Sequence, residues 1–379
     1  MERPVFQAPG TPMEELDTPA LVVDLEVMER NIATVHACFS QSSAKIRPHA
    51  GRHQCPQIAH RQVRAGATVG GIGVTTLGEA EVFIDAGFRD ILVANQVVTQ
   101  AKIRRLCALA GSNNITVAVD DPGNVAALSE AATASGINIG VLVELDVGLG
   151  RCGVAPGGNA LTLARTVSQA PGIRFDGLMA IPPTPVSTAE SVEEGDTLDH
   201  GRLDAEARSH LQQVVDTREL LEREGLAVSI VCVGGTHNYA VAASTTGVTE
   251  VLAGSYPLMD YNLCRWRPEL KPAARVLASI ISRPNGQSAV LDAGHKATGP
   301  DRGLAVLDGI AGAKATRFSA EHGVLELEGD VAHQLKPGDK AWLVPFDLGL
   351  CLNQYDYIRA VQGAKLEGFW AIAGRGHFG

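Results

Sequence analysis

KIRPHA (45–50), TVGGIGV (68–74), DILVANQ (90–96), ITVAVDD (115–121), INIGVLVELD (137–146), RFDGLMAI (174–181), VSIVCVGG (228–235) and VTEVLAGSY (248–256) are eight short apolar runs rich in β-branched residues. Between and before them lie stretches such as LEVMERNIATVHACF, CPQIAHRQVRAGA and LDAEARSHLQQVVDTRELLEREG, whose apolar residues recur at i, i+3 and i+4. That spacing puts the apolar groups on one side of a helix. Strand and helix in strict alternation indicate parallel βαβ units, and eight of them close a barrel. Glycine follows several helical stretches, as at Gly87 and Gly225, where a left-handed C-cap is wanted. The expected fold is therefore α/β, a (β/α)8 TIM-type barrel.

Past Asp260 the texture changes to short strands and turns: AARVLASIISRP, SAVLDAG, GVLELEGD, KAWLVPF and EGFWAIAGRG. These predict a C-terminal β-domain. LDTPALVVDL (16–25) also reads as a strand, and the arm that carries it is expected to pair with that domain. The expected division is a barrel over 23–261, with 1–22 and 262–379 forming the β-domain. A chain of 379 residues suits one large and one smaller core.

A formal charge of −10 and the lack of any Lys/Arg cluster interleaved with aromatics argue against nucleic acid as a partner. No apolar run reaches the ~18 residues of a membrane span, and the start has no secretory pattern. A cytoplasmic protein is expected. Seven cysteines, an odd number without a CxxC pair, suggest reduced core residues rather than a disulfide or zinc framework. Small-molecule chemistry remains.

Barrels of this kind carry their chemistry at the carboxyl ends of the strands, and the loops after strands seven and eight often hold a phosphate. Here those loops read Gly234-Gly235-Thr236-His237-Asn238 and Gly254-Ser255-Tyr256. Glycines there let backbone N–H groups approach an anion, and Thr236 and Ser255 add hydroxyls. Arg47, His49, Gly51 and His53 alternate along the first strand, and a period of two would send all four into the barrel interior and mouth. Such a cationic cluster suits an anion; equally, Arg47 and His49 can serve buried polar partners. The fifth strand ends in Glu144-Leu145-Asp146, followed by a glycine loop and Arg151, which reads as a site wall or as a structural Asp–Arg pair. The acidic insert 182–201 reads as a solvated loop or as a lid on the mouth.

DTPALVVDL (17–25), RPHA (47–50), GEAEVFIDAGFRDILVANQ (78–96), VLVELDVGLGRCGVAPG (141–157), FDGLMA (175–180), GGT (234–236), AGSYPLMD (253–260), LDAGHKA (291–297), EHGVLEL (321–327) and NQYD (353–356) occur in this order over nearly the whole chain. Together they resemble the D-threonine aldolase, D-serine dehydratase and 3-hydroxy-D-aspartate aldolase group, of the alanine-racemase fold type. The resemblance implies a pyridoxal phosphate (PLP) barrel, a C-terminal β-domain and a homodimer. It implies that PLP phosphate rests on Gly235, Thr236, Gly254, Ser255 and Tyr256, with Arg151 near the cofactor ring.

Two departures stand out. The family's first strand reads RPHAKTHK, its first lysine forming the Schiff base, whereas this chain reads RPHAGRHQ, with Gly51 at that lysine. Lys45 lies six residues away, roughly 20 Å at ~3.3 Å per residue, and cannot substitute. Lys296 matches a lysine the family also carries. Where the family has a His-Cys or His-x-Asp metal element, Asp347 and Gly349 stand here, so the inherited divalent-metal site is expected to be broken, with Asp347 its one remaining oxygen ligand. Lys, Thr and Lys are replaced together by Gly, Arg and Gln, which reads as a change of task rather than inactivation. Glycine at a strand end also suggests new room beside the site. The expected function is an enzyme, a lyase or isomerase, acting on a small anionic amino or hydroxy acid. His49, His53 and His237 would be its acid–base groups, without a Schiff base and without PLP. A lyase using noncovalent PLP, or a non-catalytic binder of a phosphorylated metabolite, stay open beside it.

Overall fold

The structure, a computed structural model, describes residues 7–184, 198–299 and 303–379. Most of the acidic insert, residues 185–197, lies outside them. The chain separates into two compact units: one holds residues up to Ala33, His53–Gln57 and Ser255–Gly376, the other Thr34–Arg52, Ile58–Gly254 and His377–Gly379.

The first strand, β1 (Ala20–Asp24), belongs to the former unit, and the next eight to the latter: β2 (Lys45–Pro48), β3 (Ile72–Val74), β4 (Asp90–Gln96), β5 (Asn114–Val119), β6 (Ile139–Leu145), β7 (Ile173–Ala180), β8 (Ile230–Gly234) and β9 (Glu250–Ala253). These eight form one sheet in the order β2-β9-β8-β7-β6-β5-β4-β3, and every neighbouring pair is parallel. Parallel bridges Ile46↔Thr68 and His49↔Gly73 join the two ends, so the sheet comes close to a closed (β/α)8 barrel.

Period-two alternation fills its interior. Leu92, Ala118, Leu142, Met179, Cys232 and Leu252, one from each of six adjacent strands, form a buried layer. Two residues earlier on their strands, one layer toward the amino ends, stand Asp90 and Glu250. Arg47 reaches between them: its Nε and Nη2 donate to the Glu250 carboxylate at 2.7 and 2.9 Å, and its Nη1 donates to Asp90 Oδ1 at 2.6 Å. Burial works against this charge, but the hydrogen bonds and charge of Glu250, helped by Asp90, overcome it and raise the Arg47 pKa above its ordinary value. Arg47 thus serves buried partners and leaves no cation for a ligand.

The expected alternation from Arg47 to His53 ends early. The strand stops at Pro48, and Ala50–Arg52 form a 3-10 turn in which the Arg52 N–H donates to the His49 carbonyl at 3.1 Å. That bond folds the backbone out of extension, so Gly51 and His53 do not continue the strand's phase.

The other unit holds a nine-stranded sheet. Here β1 is central, pairing antiparallel with β10 (Ala274–Asn285) and parallel with β16 (Tyr357–Gln362). Leu16, Ala20, Val22, Leu277, Val361 and Leu366 pack into one of its cores. The N-terminal arm therefore does pair with the β-sheet. Six of its strands, β1 among them, coincide with runs read from the sequence; the strands Val306–Asp308, Ala313–Phe318 and Tyr357–Gln362 were not anticipated. All seven cysteines are free thiols, and among the described residues no helix is long and apolar enough to cross a membrane.

Glu250→Ala should destabilise the protein by about 3–5 kcal/mol, because it strands a buried guanidinium beside Asp90 alone. Urea unfolding checks this; a loss under ~1 kcal/mol would mean that the tie is solvated.

Candidate active site

β2 delivers His49 to the carboxyl end of the barrel, where its N–H donates to the Ala253 carbonyl at 2.9 Å. Gly51 follows in the 3-10 turn. A Cβ at position 51 would stand 2.6 Å from Glu79 Oε2, 3.0 Å from His49 Cε1 and 3.1 Å from the Thr75 nitrogen. The room expected beside Gly51 is thus already taken, at least where a side chain would begin.

Glu79 is held there by local sequence. Thr76 is the N-cap of the helix Leu77–Asp85: its Oγ1 accepts from the Glu79 N–H at 3.1 Å, and Glu79 Oε2 accepts from the Thr75 and Thr76 amides at 2.7 and 3.4 Å. This is a capping box, and it leaves the Glu79 side chain buried against Gly51. The sequence reading missed Glu79; the Thr-x-x-Glu spacing at 76–79 was the signal that could have found it.

The turns after β8 and β9 are the glycine-rich pair. Asn238 Oδ1 accepts from the Gly235 N–H at 2.9 Å, closing a 3-10 turn over Thr236–Asn238. Thr236 is buried and His237 half-buried, its ring nitrogen Nδ1 3.6 Å from where a Gly235 Cβ would stand. The Asn238 Nδ2 atom is buried with no hydrogen-bond partner among the described residues. A Cβ on Gly254 would run into the carbonyl and Cβ of His49, so glycine is what lets the β2 and β9 turns meet. Ser255 and Tyr256 follow in the chain but fall in the β-sheet unit, where the Ser255 carbonyl accepts from the Leu258 and Met259 amides and Tyr256 is fully buried.

The ends of β4, β5 and β6 make a carboxylate wall. Gln96 Nε2 donates to Glu144 Oε2 at 2.5 Å and to Asp120 Oδ2 at 3.3 Å, and Asp120 Oδ2 also accepts from the Gly153 N–H at 2.9 Å. Burial pushes the Glu144 carboxyl above the usual carboxylate range, against the pull of Gln96 and of Arg151. Arg151 is 58% exposed, its Nη2 3.9 Å from Glu144 Oε1. The acidic partner of Arg151 is thus Glu144, while Asp146 Oδ1 accepts from the Gly148 and Gly150 amides.

At the carboxyl ends of its strands the barrel unit carries His49, Gly51, Gly235, Thr236, His237, Gly254 and Arg151, with Glu79 beside Gly51 and Arg151 near Glu144. Two other expectations fare differently. His53 lies in the β-sheet unit, buried, its Nδ1 accepting from the Cys55 N–H at 3.2 Å, which is the setting of a packed histidine. Asp347, in the same unit, caps the helix Leu348–Leu352, its Oδ1 accepting from the Gly349 N–H at 2.7 Å. Among the described residues no group of three or more His, Cys, Asp or Glu side chains is placed to hold a metal ion.

Residues 23–261 match the family of the alanine racemase N-terminal domain, and 273–361 match a domain described for serine dehydratases. D-threonine aldolase from an Arthrobacter species is 35% identical over 97% of this chain and 95% of its own. 3-Hydroxy-D-aspartate aldolase from Paracoccus denitrificans is 33% identical over 97% and 94%. The crystal structure of D-threonine aldolase from Filomicrobium marinum, 34% identical, superposes with a TM-score of 0.89 over 98% of this chain and 100% of that one. The chain belongs to the alanine-racemase-like family that includes the D-threonine and 3-hydroxy-D-aspartate aldolases.

Proposed function

We propose that this protein is a lyase acting on a small anionic substrate of the β-hydroxy amino acid or hydroxy acid class, and that it works without a Schiff-base lysine. The lyase class rests on relatives named as aldolases of threonine and hydroxyaspartate. The single observation that carries the rest is the surroundings of Gly51. Where a side chain would begin stand the Glu79 carboxylate and the His49 ring, an acid–base pair of residue types rather than an amine.

In this reading the turns at Gly235, Thr236 and Gly254 bind the substrate's anionic group, with Arg151 presenting a cation at the rim. His49 and His237 take and return the proton at the hydroxyl or at the carbon beside the carboxylate, since imidazole titrates near neutral pH. The wall formed by Gln96, Asp120 and Glu144 orients the polar remainder of the substrate.

PLP, the cofactor that the resemblance implies, fits this mouth only in part. Gly235, Thr236 and Gly254 suit its phosphate, and the Asn238 Nδ2, without a hydrogen-bond partner among the described residues, lies in the same turn, which favours noncovalent PLP as the second reading. Among the described residues of the barrel unit no amine is placed for the aldehyde end. Lys45 Nζ donates to the Phe39 and Ser42 carbonyls, and Lys296 is paired with Glu321 in the other unit. Bound PLP would supply an electron sink.

Addition of PLP to the purified protein should give no visible aldimine absorbance, whereas Gly51→Lys combined with Glu79→Ala, which clears the carboxylate from the Cβ position, should acquire it. A band in the unaltered protein that responds to a D-β-hydroxy amino acid would establish the PLP reading instead. His49→Ala and His237→Ala should each lower kcat by about 10²–10⁴-fold, measured as carbonyl release from D-threonine or D-3-hydroxyaspartate. Unchanged turnover in both would remove the histidines from the chemistry.

A further inference from the structure

Gly78, the second residue of the helix Leu77–Asp85, is buried although it lies in an N-terminal turn. Its cover comes from the far end of the sequence. A Cβ on Gly78 would stand 2.8 Å from the Gly379 carbonyl oxygen, 3.1 Å from His377 Cβ and 3.2 Å from the His377 carbonyl oxygen. Beside it, Thr76 Oγ1 donates to the His377 carbonyl at 2.6 Å. The segment His377–Gly379 is held through its backbone, since the Phe378 side chain points to solvent at 70% exposure.

One hydroxyl therefore does two jobs. A threonine Oγ has one proton to give and lone pairs to receive. The Thr76 proton goes to His377, which leaves a lone pair aimed at the Glu79 N–H. Glu79 in turn returns its carboxylate to the Thr75 and Thr76 amides and rests against Gly51. Glycine at position 78 is the weaker helix former, and its presence is explained by the backbone that crosses it.

We propose that His377–Gly379 is a strap whose docking on Thr76 and Gly78 positions Glu79 at Gly51. These are positioning residues, acting on the mouth through the capping box, and the inference holds whichever reaction the mouth supports. With the strap in place the turn Thr75–Gly78 has one arrangement. Without it the Thr76 hydroxyl is free to rotate, and the Glu79 carboxylate loses its fixed place beside His49.

A double-mutant cycle combined with a local probe tests this. Gly78→Ala, deletion of residues 377–379 and their combination are compared by thermal unfolding and by the His49 Cε1–H resonance of ε1-13C-histidine protein, assigned with His49→Gln. Gly78→Ala should lower Tm by about 2–4 °C in the full chain yet leave it unchanged or raised in the shortened one, where alanine is simply the better helix former. Both single changes should move the His49 resonance in the same direction, and the combination no further. Additive effects on Tm, or a His49 resonance indifferent to deletion of 377–379, would overturn the strap.

Discussion

The barrel depends on how its first strand is tied. β2 is four residues long and carries Arg47, which bridges Glu250 on β9 and Asp90 on β4 from inside the sheet. Since β2 pairs along its length with β9 and joins β3 only by bridges, the buried ion network compensates for a thin seam. Its cost and its use are linked: a lone buried cation would be prohibitive, but a fully hydrogen-bonded one fixes register. Register at β2 decides where His49 and Gly51 emerge, and the mouth is arranged around them.

Above the seam, close approach takes over from charge. Gly254 brings the β9 turn onto the His49 carbonyl, and Gly51 admits the Glu79 carboxylate. Both contacts need a missing side chain, so the composition of the two turns encodes shape as much as chemistry. Glu144 shows the opposite economy, a carboxyl kept in a setting that disfavours its charge, as polar groups at functional mouths often are.

Much of this was legible. Each of the eight barrel runs became a strand, because strongly apolar β-branched segments between helical patterns leave little choice. The glycine turns were legible too, as was the arm that joins the β-sheet. What sequence alone could not show was where extension stops: Pro48 to Arg52 still alternates on paper, and one hydrogen bond ends it. Nor could it place Glu79 at Gly51, since 28 positions separate them and only the folded capping box brings them together. Of the strands missed in the β-sheet, Val306–Asp308 has only three residues and Ala313–Phe318 has half of its residues exposed, so their identity rests on partners rather than pattern.

The central place of β1 has a consequence for the order of events during synthesis. Its partners β10 and β16 begin at Ala274 and Tyr357, so β1 must wait for strands made long after it. At ribosomal speeds that wait is on the order of tens of seconds. Meanwhile the barrel strands between them can pair with neighbours close in sequence. The apolar stretch Ala20–Val23 is thus unsatisfied while the barrel assembles, and a nascent chain of this design is most in need of shelter around β1.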